Sequence, residues 1–150
     1  MRKYVAALTL LLLALAPLLF AKKDEPLDQL IARANAANLD HQPDLFAEVA
    51  EREMDAAVDA FKADQSDKFH DSLQQVVSYC DHAQAAAIHS KKHVKRTEIR
   101  IRQLTHRLRD MKPDVDPDDV PTVQSAIDRL EHFRAELLRT MFGLKDDDHE

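Results

Sequence analysis

The stretch Phe69–Met111, FHDSLQQVVSYCDHAQAAAIHSKKHVKRTEIRIRQLTHRLRDM, decides how this chain is read. Phe69, Leu73, Val76, Cys80, Ala83, Ala87, Ser90, Val94, Thr97, Ile101, Leu104, Leu108 and Met111 fall alternately four and three residues apart. That spacing is a heptad seam, and neither Gly nor Pro interrupts it. It predicts one helix of about 65–70 Å at 1.5 Å per residue. A seam of this kind is a scaffold signature and specifies no chemistry.

Working outward, shorter helices are expected on both sides. Leu27–Ala37 places Leu27, Leu30, Ile31 and Ala34 on one face. Pro43 suits the opening of a second helix that runs to Lys62, with Phe46, Val49, Ala50, Ala57 and Phe61 along one side. Asp64–Asp67 forms a turn with capping residues. Within the seam, Ala83, Ala87 and Ser90 are small, and Val77, Ile88 and Ile99 form a second stripe that implies more than one neighbour. Pro113, Pro117 and Pro121 place a loop before a last helix over residues 122–142, which Gly143 caps. The expected fold is all-α: an elongated bundle with one long central helix (about 66–112), packed by shorter antiparallel helices (about 27–37, 43–62 and 122–142). A bend near Ser90 would compact it, but the absence of a kink residue favours the rod.

At the start of the chain, Arg2 and Lys3 precede an apolar run from Val5 to Ala21, the pattern of a secretory signal. The expected organisation is a signal peptide over 1–21, a linker over 22–26, one helical domain over 27–143 and an acidic, disordered tail over 144–150. Localisation is then periplasmic or secreted, with an uncleaved N-terminal anchor as the alternative. The chain carries 21 basic and 27 acidic residues, a net charge of −6, which argues against general nucleic-acid binding. Cys80 is the one cysteine, so no intramolecular disulfide forms. Its seam position marks it as a small buried hydrophobe; an intermolecular disulfide is the alternative.

Charge is segregated. Residues 83–112 hold 9 basic and 2 acidic side chains, whereas residues 113–150 hold 4 basic and 11 acidic. Pairing of the basic block with the last helix explains this; a polyanion-binding face of Lys91, Lys92, Lys95, Arg96 and Arg100 is the functional alternative. His82, His89 and His93 share one face of the expected long helix. His89 and His93 stand four apart and are the candidate metal ligands, although the neighbouring lysines repel a cation. Asp114–Asp119 superficially resembles a calcium loop but lacks the required Gly. No cofactor is expected. One glycine cannot build a phosphate loop, and no nucleophile–base pair stands out, so the expected protein is not an enzyme.

Leu45–Ala87 resembles a single tetratricopeptide-like hairpin, with Ala60-Phe61 and Phe69-His70-Asp71-Ser72-Leu73 where the two helices touch. More broadly, Pro43–Gly143 resembles exported bacterial helical proteins of unknown function, through Glu48-Val49-Ala50-Glu51-Arg52, Lys95-Arg96-Thr97-Glu98-Ile99 and Met141-Phe142-Gly143. That resemblance implies no catalytic residue. The expected role is a non-enzymatic helical scaffold or protein-interaction module whose partner is a protein. Self-pairing through Val94–Met111 to form a homodimer, and an envelope-associated polyanion or metal binder, are the alternatives.

Overall fold

The computed structural model describes residues 25–143; the expected signal segment over 1–21, most of the linker and the tail over 144–150 lie outside the described residues. Five α-helices and no strand are present among them. They are α1 (Leu27–Ala36), α2 (Gln42–Lys62), α3 (Ser66–Ser90), α4 (Val94–Met111) and α5 (Val120–Phe142), with one 3-10 turn at Lys112–Asp114.

The all-α expectation holds, but the long central helix does not. It ends at Ser90 and restarts at Val94. No Gly or Pro makes this break. Lys91 and His93 instead take left-handed conformations, with φ of 57° and 58°. The Ser90 hydroxyl donates to the Ala86 carbonyl (2.7 Å) and accepts the Lys92 N–H (3.2 Å), which closes the turn. Left-handed φ in residues with a Cβ costs about 1–2 kcal/mol each. Against that, α4 buries Ile101, Leu104 and Leu108 to within 1 % exposure, and a fully buried aliphatic side chain contributes about 1.5–3 kcal/mol. Burial against the core that α2, α3 and α5 share therefore outweighs the strain.

The chain consequently runs up α2, down α3, up α4 and down α5. Ring contact between Phe61 and Phe69 (centroids 5.9 Å) marks the top of the α2–α3 hairpin. Lys91 to His93 lie at the bottom. Arg96–Asp44 and Arg107–Asp55 contacts, both 2.7 Å, show α4 running parallel to α2. Arg134–Glu98 (2.9 Å) and Arg109–Glu131 (3.0 Å) show α5 antiparallel to α4. Seam residues from both halves converge in one core, together with Met54 of α2 and Val123, Leu130 and Leu137 of α5.

A smaller cluster seats α1: Leu30 and Ala34 pack on Phe46, Ala47 and Val49 of α2 and Ala83 of α3. Arg33 holds the Glu25 carboxyl at 2.7 Å and keeps it below the usual carboxylate range, while Arg52 donates to the Glu25 carbonyl. Among the described residues, the buried members of both clusters lie between Leu30 and Leu137, all of which a chain beginning at Lys22 contains.

Two local expectations change. The last helix begins at Val120 rather than Thr122 and takes Pro121 into its first turn, where a missing N–H costs nothing. Asp64–Asp67 does span the α2–α3 turn, but the residue at the N-cap of α3, Gln65, makes no side-chain cap bond. Gly143 does cap α5, with φ 64° and its N–H on the Arg139 carbonyl.

Candidate functional site: the groove between α3 and α5

Folding back at Lys91–His93 brings α5 against α3, and the two helices run in the same direction. Between them lies a groove of about 650 Å3. On the α3 side it is lined by His70, Leu73, Gln74, Val77, Ser78 and Asp81. These positions recur at three and four residues, one face of a helix. Pro121, Thr122, Ser125, Ala126 and Arg129 form the α5 side by the same spacing. From His70 to Asp81 the groove extends over about 17 Å of helix. Buried Leu73 and Ala126 with half-buried Val77 make an apolar floor, and polar side chains make the rims.

The upper end is fixed by Asp119. Its position would suit a helix cap, yet its side chain makes no cap bond. Instead Asp119 Oδ1 lies 2.6 Å from His70 Nε2 and accepts the Ser66 hydroxyl at 3.3 Å. This bond set pins the start of α5 to the start of α3. It is not a nucleophile–base–acid relay, because Ser66 and His70 both address the same carboxylate oxygen rather than each other. At the lower end Arg129 lies over the Phe133 ring (5.1 Å), while the exposed Asp81 makes no hydrogen bond or ion pair among the described residues.

The sites expected from sequence are distributed otherwise. His89 and His93 do not share a helix face: α3 ends between them, and His93 faces Asp44 at 3.5 Å. His89 lines a separate depression with Leu39, Phe46 and His82. Among the described residues no group of three or more His, Cys, Asp or Glu is placed to hold a metal ion. The polyanion set also divides. Arg100 is bound to Glu51 through two bonds (2.6 and 2.7 Å) and to the Asp44 carbonyl (2.8 Å), so its guanidinium is held above its usual range. Arg96 pairs with Asp44. Lys91, Lys92 and Lys95 are exposed, and their side chains make no such bond.

The arginines of the basic block are therefore paired internally, and α2 is their main partner rather than α5. Cys80 is fully buried, and burial pushes its thiol up, so it is not poised for an intermolecular disulfide. Within Val94–Met111 the seam residues Thr97, Ile101, Leu104 and Leu108 are buried inside this chain, and Val94 and Met111 are half-buried.

The sequence alone does not disclose the groove. Val77, in the second stripe, was its one visible signal. The polar rim residues carry none, because Ser and Thr on an exposed helix face are common. Compared with known proteins, the chain matches no family model, no curated protein and no solved structure.

Proposed function

We propose that this chain is a non-enzymatic helical interaction module whose α3–α5 groove receives an amphipathic helix of a partner protein. The groove carries the reading: two parallel helices leave an open furrow with an apolar floor and polar rims, the form that accepts a helix by its i, i+3, i+4 and i+7 positions. About 17 Å corresponds to a partner segment of 11–12 residues. Unpaired Asp81 favours a lysine or arginine on that segment at the lower end. Export, through the apolar run over 5–21, belongs to the same proposal, as does the resemblance to exported helical proteins.

Selection of displayed helical peptides against residues 22–150 tests the reading. Enriched peptides should share helical apolar spacing and a basic residue, and Ser78→Trp or Ser125→Trp should abolish their binding while leaving thermal unfolding unchanged. No enrichment, or binding indifferent to either tryptophan, contradicts it.

A further inference from the structure

The bundle has two unlike ends. The upper end, with the α2–α3 turn and the α4–α5 loop, carries Asp64, Asp67, Asp114, Asp116 and Asp118, all exposed. The lower end contains the α1–α2 turn, the α3–α4 turn and the end of α5. There Lys91, Lys92 and Lys95 are exposed and free of ion pairs among the described residues.

Two large hydrophobic side chains are exposed among the described residues, Leu39 (38 %) and Phe142 (70 %). Both are at this lower end. Leu39 shares a depression with His89, one turn before Lys92. The Arg134–Glu98 contact sets the register of α5 against α4. Phe142 is two turns beyond Arg134, whereas Val94 is one turn before Glu98, so Phe142 extends past the start of α4.

We propose that this end, where Leu39 and Phe142 flank Lys91, Lys92 and Lys95, docks on an anionic lipid bilayer. Peripheral attachment to such a surface needs two weak signals together, apolar insertion and basic charge. Aromatic side chains favour the headgroup level, and each lysine near the surface strengthens binding about fivefold. Among the described residues, the exposed acids Asp64, Asp67, Asp114, Asp116 and Asp118 gather at the upper end, and this asymmetry turns the lysine end toward a negative surface. Asp40, exposed beside Leu39, opposes it; Asp146, Asp147, Asp148 and Glu150 follow Gly143 in the sequence and lie outside the described residues. This surface is separate from the α3–α5 groove, and tryptophans that block the groove should leave it intact.

The test is sedimentation of residues 22–150 with vesicles of phosphatidylglycerol and phosphatidylcholine, or of phosphatidylcholine alone. Binding is expected only with the anionic lipid, and release in 0.5 M salt. The triple change Lys91→Glu/Lys92→Glu/Lys95→Glu should weaken it by about a hundredfold or more. Leu39→Ser/Phe142→Ser, which keeps the charge, should weaken it severalfold. The chain contains no Trp, so Phe142→Trp reports insertion directly, as a blue-shifted emission on anionic vesicles. Equal binding to both vesicle types, indifference to the lysine reversals, or no emission shift overturns the proposal. So does retention on immobilised polyphosphate together with vesicle binding unaffected by Leu39→Ser/Phe142→Ser, because the end would then be a soluble-polyanion site.

Discussion

The two halves of the seam, α3 and α4, carry the same four–three spacing and are held in place by different forces. In α3 the seam narrows from Phe69 and Leu73 to Cys80, Ala83 and Ala87, and apart from the His70–Asp119 contact at its top its neighbours approach through uncharged side chains. In α4 only Ile101, Leu104 and Leu108 are fully buried aliphatics, and charged bonds tie the remaining turns outward. Arg96, Arg100 and Arg107 reach α2; Glu98 and Arg109 reach α5. Hydrophobic period specifies burial on both halves, while charge selects the neighbours of the second.

The largest break in this comparison comes from the α4 core. Leu104→Ala should cost about 3 kcal/mol by denaturant unfolding, whereas Cys80→Ala in α3 should cost about 1, because less volume is removed. Next is the charged side of α4. Glu98 is buried and Arg134 covers it, so Arg134→Ala leaves a buried carboxylate with only Arg102 beside it, at 3.9 Å, and should cost about 2 kcal/mol. The double change Glu98→Leu/Arg134→Leu should recover most of that, which separates loss of pairing from loss of burial. At the top of α3, Asp119→Ala removes the bonds to His70 and Ser66 and should cost about 1–2 kcal/mol. Amide exchange should then speed up at the start of α5 first.

Smaller effects sharpen the contrast. Glu53 of α2 is buried, and burial raises its carboxyl above the ordinary value. For an acid with a raised folded-state pKa, the folded chain binds more protons than the unfolded one. Stability is then greater in acid and falls as pH rises from the unfolded value through the folded one. Glu53→Gln should therefore stabilise the chain at pH 7 and lose that advantage near pH 4, as read by thermal unfolding at both values. At the turn, Lys91→Gly should change stability by less than about 1 kcal/mol, since relief of the left-handed strain offsets the added chain entropy, whereas Lys91→Val should cost about 1–2.

Much of the helical framework was legible. Leu30, Ala34, Phe46, Val49, Leu130 and Leu137 are buried where their periodicity places them, and Gly143 caps as its position implies. The reversal at Lys91–His93 was not legible, because the heptad register passes through it: Ala87 and Ser90 before the turn and Val94 and Thr97 after it keep the same spacing. Its determinants are a serine hydroxyl on its own helix and arginines that meet Asp44, Glu51 and Asp55 about fifty residues away. Pairings at such separation leave no local pattern. The groove shares that cause, because it exists only once α5 has been carried back onto α3.

Distance between spin labels on Asp71→Cys and Asp110→Cys, in a Cys80→Ala background, tests that reversal most directly. A continuous helix separates these positions by about 58 Å. In the bundle both lie at the upper end, on helices whose axes are about 8–10 Å apart where they touch, so a distance below about 25 Å is expected. A distribution centred near 58 Å would contradict the fold-back and remove the α3–α5 groove with it.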